Sequence, residues 1–204
     1  MRLLELFSGT GSVKKAVGHL FEEVISIDIL QKFNPTECTD ILKWDYKKYP
    51  TDYFNAIWAS PPCTEYSKLK YISGAIRNLE LADSIVKRTL EILEYFNTDK
   101  WFIENPQTGL LKDREFMAGL PYTDIDYCMY SNWGYKKRTR IWTNVDYKGK
   151  LCNRQCGNIF NGIHSLPVPE LTVYNKDKGL AVYRSQNKDY LYRIPAQLIK
   201  ELFA

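Results

Sequence analysis

The N-terminal stretch limits the fold most. Leu3, Leu4 and Leu6 make residues 2–7 a short apolar strand. Phe7-Ser8-Gly9-Thr10-Gly11-Ser12 follows, and then Val13, Ala16, Val17 and Leu20 recur at helical spacing over residues 13–21. A strand that turns through two glycines straight into a helix is the opening of an α/β unit. The glycines permit a tight turn and close approach of a ligand to the backbone, and a helix start offers free N–H groups. The third glycine of the dinucleotide fingerprint is missing, and so is the Gly-Lys-Ser/Thr of a P-loop. NAD and nucleoside triphosphates are therefore not the expected ligands.

The later apolar runs end in chemically capable residues. Residues 23–29 read as a second strand reaching Asp28, which stands 17 positions beyond Gly11, near the usual interval of about 20 for an acid on a ribose. A helix cap or turn residue is the plainer reading of Asp28. Residues 39–44 form a third strand or its exit, where Asp40 can accept from an adenine amino group while Ile41 packs on the ring. Residues 54–60 are a fourth strand. Pro61 and Pro62 cannot continue a ladder, so Cys63 falls on the exit turn. Ligands of open α/β sheets bind beyond the carboxyl ends of strands. Cys63 is there either a nucleophile or a buried thiol. Residues 101–103 run into Glu104-Asn105-Pro106, and in a parallel sheet Glu104 and Cys63 can face one cleft.

Further along, Arg138 and Arg140 lie two apart on a basic strand over residues 136–142, hence on one face. Paired guanidinia suit a phosphate or a carbonyl oxygen; a solvated edge strand is the alternative. Residues 123–130 also read as a strand. Helices are expected over residues 82–96, 110–120 and 196–203. Residues 64–77, with Lys68, Lys70 and Tyr71, read as a long mobile loop.

Periodicity dissolves over residues 144–186, which form a small irregular subdomain or a set of loops. Cys152, Cys156 and His164 are zinc-type ligands at suitable spacing, but zinc takes about four. A fourth is missing unless Cys128 folds back, so no metal is assigned.

Composition bounds these readings. The 204 residues, 45% hydrophobic and 25% charged, suit one well-cored soluble domain with a small appendage. No apolar run approaches the roughly 20 residues of a membrane span. The N-terminus is too soon charged for a signal peptide, which points to an intracellular protein. Five cysteines, an odd number without framework spacing, suggest free thiols. A net charge of +4 and 15 tyrosines are compatible with a nucleic-acid partner.

Four stretches together resemble the DNA cytosine-5 methyltransferase family: residues 4–12, Ser60-Pro61-Pro62-Cys63, Glu104-Asn105-Pro106 and Arg138-Thr139-Arg140. A weaker echo sits at Arg193-Ile194-Pro195, and the short tail is most similar to small phage or virus members. Lys136 stands where the family usually has Gln, Pro106 where it has Val, and the last motif lacks the usual Gly-Asn pair.

The resemblance implies a doubly wound, mostly parallel α/β sheet that binds S-adenosyl-L-methionine. By that match Phe7, Ser8, Gly9, Thr10, Gly11 and Ser12 surround its methionine end and Asp28 holds the ribose. Ile29, Asp40 and Ile41 contact the adenine, and Ser60 and Pro62 border the cofactor and a flipped base. Cys63 becomes the nucleophile, Glu104 the group bonded to the ring, and Arg138 or Arg140 the holder of its O2 side or a phosphate. Residues 1–142 form the catalytic domain, 143–190 a reduced target-recognition region, and 191–204 a helix returning to the catalytic domain. The implied partner is double-stranded DNA. The shortness of residues 143–190 implies a short or relaxed target, or an accessory protein. A tRNA cytosine suits the same pocket. A non-catalytic nucleic-acid-binding homologue is the third reading, against which Cys63, Glu104 and both arginines argue.

Overall fold

The computed structural model describes residues 1–68, 70, 74–165 and 192–204. Tyr71 and the larger part of the expected recognition region, residues 166–190, lie outside them.

Strands β1 (Arg2–Leu6), β2 (Glu23–Asp28), β3 (Glu37–Cys38), β4 (Ala56–Ala59), β5 (Lys100–Pro106), β6 (Tyr122–Asp126) and β7 (Arg138–Thr143) form one sheet. Its order is β3-β2-β1-β4-β5-β7-β6. The first five run parallel, and β7 pairs antiparallel with both β5 and β6. Strand order reverses at β1, so the crevice between the ends of β1 and β4 is the switch point where such sheets bind ligands.

Period-2 alternation gives the sheet two apolar faces. Leu4, Leu6, Ile57 and Ile103 pack under helix α2 (Leu79–Phe96) through Val86, Ile92 and Phe96. Leu3, Trp58 and Phe102 face helices α1 (Ser12–Val17) and α3 (Ala196–Phe203), meeting Val13, Ala16, Leu198 and Leu202. Helices on both faces make the fold doubly wound, as the resemblance implied. α2 is the best-defined helix: Asn78 Oδ1 accepts the Leu81 N–H at 3.0 Å, and Asn97 closes it in the left-handed region. Among the described residues no helix is long and apolar enough to cross a membrane.

Three expected elements change. Residues 110–120 are two 3-10 turns, Leu110–Asp113 and Glu115–Met117, rather than one helix. Arg114 between them is extended, its guanidinium drawn onto Asp83 of α2. The strand expected at residues 39–44 is already over at Cys38: the Asp40 carboxylate accepts the Leu42 N–H at 3.0 Å and holds a turn instead. The strand expected over residues 123–130 ends at Asp126, and a 3-10 turn, Tyr127–Met129, takes its place.

Candidate active site

The end of β1 sets the shape of the site. Phe7 has φ +57°, a left-handed conformation that costs a non-glycine residue about 1–3 kcal/mol and clusters at functional sites. Gly9 and Gly11 share that region at +47° and +67°. The chain therefore coils tightly between β1 and α1, while the Ser8 N–H still reaches Ile27 O across the sheet at 3.1 Å. Asp28, at the end of β2, accepts the Gly9 N–H through Oδ2 and the Leu30 N–H through Oδ1, each at 2.8 Å. The loop and the acid thus hold one another.

Beneath this turn lies Glu5. Its carboxylate is buried and takes the Val13 and Lys14 N–H groups, both at 3.2 Å, at the start of α1. Burial pushes its pKa up to about 7, although the two N–H bonds pull the other way. The sign follows. From about pH 4.5 to about 7 the folded chain keeps a proton that the unfolded chain has released, so stability falls across that window. The loss amounts to roughly 3 kcal/mol. Urea midpoints at pH 5 and pH 8 should show that Glu5→Gln removes most of this decline. Parallel pH dependences of variant and wild type would contradict the assignment.

The ends of β4 and β5 bring the thiol and the second acid together. Ala59 pairs with Ile103, so Ser60 and Glu104 leave adjacent parallel strands at the same level. Trp58 Nε1 donates to Ser60 Oγ at 2.9 Å, and Asn105 Nδ2 donates to Pro61 O at 2.9 Å. These bonds fix the Pro-Pro turn that carries Cys63, which is half-buried. Tyr66, just beyond, is fully buried and its hydroxyl donates to Asp83 Oδ1 at 2.9 Å. The loop expected to be mobile is therefore anchored at Tyr66. Farther along it, Lys70 pairs with Glu65, while Lys68 is exposed.

A cavity of about 400 Å³ joins these ends. Phe7, Ser8, Gly9, Ser12, Asp28, Ile29, Asp40, Ile41, Ser60, Pro62, Cys63 and Glu104 all line it. Thr10 and Gly11 lie in the same turn without lining it. Glu104 is buried, and the fully buried Tyr127 donates its hydroxyl to Glu104 Oε1 at 2.9 Å. Burial and the neighbouring carboxylate raise the Tyr127 pKa far above its ordinary value, so the phenol stays a donor.

The arginines do not join the lining. Glu104 stands opposite Ile141 and Asn105 opposite Arg140. Directly opposed residues share a face, so Arg138 and Arg140 point away from the Glu104 side of the sheet. Each is held by an aspartate of β6: Arg138 by Asp126 at 3.0 and 2.7 Å, Arg140 by Asp124 at 2.7 and 3.0 Å. Lys137, just before Arg138, lines the cavity instead.

Sequence reasoning passed over Lys137, although alternation places it on the Glu104 side. It passed over Glu5 as a buried acid, and also Trp58, Asn105 and Tyr127. Asn105 Oδ1 is buried with no hydrogen-bond partner among the described residues. Only burial and long-range pairing reveal these roles.

No protein-family model matches the chain. A curated relative from Frog virus 3 (isolate Goorha), "Probable DNA (cytosine-5)-methyltransferase", is 33% identical over 219 residues, covering 99% of this chain and 98% of the relative. The chain belongs to the DNA cytosine-5 methyltransferase family. Two solved structures share its fold. S. pombe Dnmt2 methyltransferase matches with a TM-score of 0.53 at 16% identity, over 87% of this chain and 62% of that one. A putative DNA modification methyltransferase encoded within a prophage in E. coli matches with a TM-score of 0.53 at 12% identity, over 86% of this chain and 56% of that one. This member of the family thus spans about three fifths of the length of those two structures.

Proposed function

We propose that the protein methylates C5 of a flipped cytosine in double-stranded DNA, with S-adenosyl-L-methionine as donor and Cys63 as nucleophile. The observation that carries this reading is the arrival of Cys63 and Glu104, from adjacent parallel strands, on one cavity with Asp28 and the Gly9 turn.

The lining fits the cofactor. Glu5, Asp28, Asp40 and Glu104 bring four carboxyl groups against Lys32 and Lys137. That balance repels a triphosphate and suits a nucleoside bearing a sulfonium cation. Each Asp28 oxygen accepts one N–H bond and has a lone pair left for a ribose hydroxyl. Ile29 and Ile41 flank the adenine, and Asp40 takes its amino group. The turn from Phe7 through Ser8, Gly9, Thr10 and Gly11 to Ser12 receives the methionine end. Ser60 and Pro62 stand where cofactor and base meet. When bound, S-adenosyl-L-methionine supplies an electrophilic methyl group.

The chain supplies the rest. Cytosine C5 is a poor nucleophile within its aromatic ring. Addition of the Cys63 thiolate at C6 forms a C–S bond and turns C5 into an enamine carbon. Glu104, fixed by Tyr127, bonds N3 and the exocyclic amino group and stabilises the charge that develops on the ring. Once C5 has gained its methyl group, it loses its proton, the C–S bond breaks, and 5-methylcytosine leaves. Arg138 and Arg140, held by Asp126 and Asp124 on the other side of the sheet, are not placed to hold the O2 side of that base. Lys137 is a cation already on the cavity wall, beside the strand end that carries Glu104.

The base must leave the duplex to reach Cys63. Lys68 adds a phosphate contact that makes binding salt-dependent. Residues 1–142 and 191–204 form the catalytic body, and residues 143–190 read the target. So short a reading segment favours a short or relaxed target sequence, or an accessory protein. Such a protein works inside the cell that holds its DNA.

Transfer of labelled methyl groups to duplex DNA, compared with tRNA, tests the substrate. Label in tRNA alone would overturn the DNA assignment. Bisulfite sequencing of DNA from expressing cells should show a consensus shorter than six bases. The ribose contact has its own test. Asp28→Asn should weaken S-adenosyl-L-homocysteine binding by about 10- to 100-fold in calorimetry, the size of one or two charge-assisted hydrogen bonds. Unchanged affinity would remove Asp28 from the cofactor site.

A further inference from the structure

The sequence places three zinc-type ligands close together and leaves a fourth dependent on the path of Cys128. The structure brings Cys128 back. It sits buried in the 3-10 turn after β6, beside a loop carrying Cys152 and Cys156 and a hairpin, β8 (Ile159–Phe160) and β9 (Ile163–His164). The ligand atoms of Cys128, Cys152, Cys156 and His164 all lie within 4.8 Å of one another. We propose that these four side chains hold a structural zinc ion that fastens residues 151–165 to the β6 edge of the sheet.

The distances among Cys152, Cys156 and His164 are close to those a tetrahedral ion needs, and Cys128 Sγ lies within 4.8 Å of each. Zinc bonds of 2.3 Å to sulfur and about 2.05 Å to nitrogen put S···S near ~3.8 Å and S···N near ~3.6 Å at the tetrahedral angle. Cys152 Sγ and Cys156 Sγ are 3.5 Å apart, and His164 Nε2 lies 3.7 and 3.4 Å from them. A sulfur pair 3.5 Å apart is no disulfide. Three thiolates and one imidazole, four ligands with no open position, describe a structural zinc centre rather than a catalytic one. Binding exchanges three thiol protons for the dication, and His164 coordinates as the neutral ring.

Among the described residues the segment has no other core. Leu151, Phe160 and Ile163 are 49%, 69% and 69% exposed. A piece this small without apolar burial needs a staple, and a metal is one of the few available. Its outer shell is in place. The Cys152 N–H donates to the buried Asp126 carboxylate at 2.7 Å, and the Arg154 N–H donates to Cys152 Sγ at 3.4 Å. Asn158 Nδ2 donates to Cys128 O at 2.9 Å while its Oδ1 takes the Gly134 N–H at 2.8 Å. Asp126 also grips Arg138, so the ion would brace the strand bearing the family's arginine pair.

The test is metal analysis of the full chain, purified under reducing conditions without chelator. About one equivalent of zinc is expected. Cobalt substitution should give tetrahedral d–d bands with thiolate charge transfer. Cys156→Ser and His164→Asn should each lose most of the zinc, and Cys38→Ser, at a distant exposed thiol, should keep it. Less than about a tenth of an equivalent in the wild-type chain, even after incubation with zinc, would overturn the proposal. So would full retention by either ligand variant, or iron in place of zinc. Should the variants fail to fold, wild-type stoichiometry and the cobalt spectrum still decide. None of these readouts depends on methyl transfer.

Discussion

Cys63→Ala is expected to lower methyl transfer by at least about 10⁴-fold, because among the described residues no other thiol lines the cavity to add at cytosine C6. The thiol sits beyond β4 on a turn held by Asn105 and by the Trp58–Ser60 hydrogen bond, neither of which involves the sulfur. Alanine therefore removes the nucleophile and keeps both of these bonds, and cofactor affinity should remain within a few-fold of wild type. A DNA containing 5-fluorocytosine makes the same point through a bond. C5 then has no proton to lose, so the wild-type chain should stay joined to the DNA through denaturing electrophoresis, and the alanine variant should not. Turnover that persists in the variant would refute the nucleophile, whatever the state of the cofactor site.

The second large effect is expected at Glu104. Replacement by Gln keeps an oxygen that accepts the Tyr127 hydroxyl, so the strand end and its packing are preserved. What changes is the group offered to N3 and the amino group of the base. Loss of one such aligned electrostatic contact costs about 10²–10³ in rate. Single-turnover kinetics should show the loss in the chemical step, with DNA affinity little changed. A decrease confined to DNA binding would make Glu104 a recognition residue instead.

Much of this was legible in the chain itself. Buried parallel strands are short apolar runs, and the residues that stop them announce their ends. The Gly9-Thr10-Gly11 turn, Pro61-Pro62 and Pro106 each mark such an end, which is why Cys63 and Glu104 could be placed on one cleft, given a parallel sheet, from local pattern. The terminal helix was equally plain, since a proline start and apolar spacing are local signals.

Other features depend on pairing between distant segments, which no local pattern encodes. The split of residues 110–120 follows from Arg114 reaching Asp83 on another helix. The arginine pair is turned from the cavity by its register against β5, and Lys137 is brought to it. Glu5 reads as an ordinary acid until burial under α1 raises its pKa. Cys128 becomes a fourth ligand only because the chain leaves β6 through a 3-10 turn and returns 24 residues later beside it. Sequence determined where β1, β2, β4 and β5 give way to turns and which chemistry stands there, because backbone propensity acts over a few residues. Tertiary structure alone decided which side chains are desolvated, which charges are already paired and which thiols meet, because those properties belong to contacts between segments far apart in the chain.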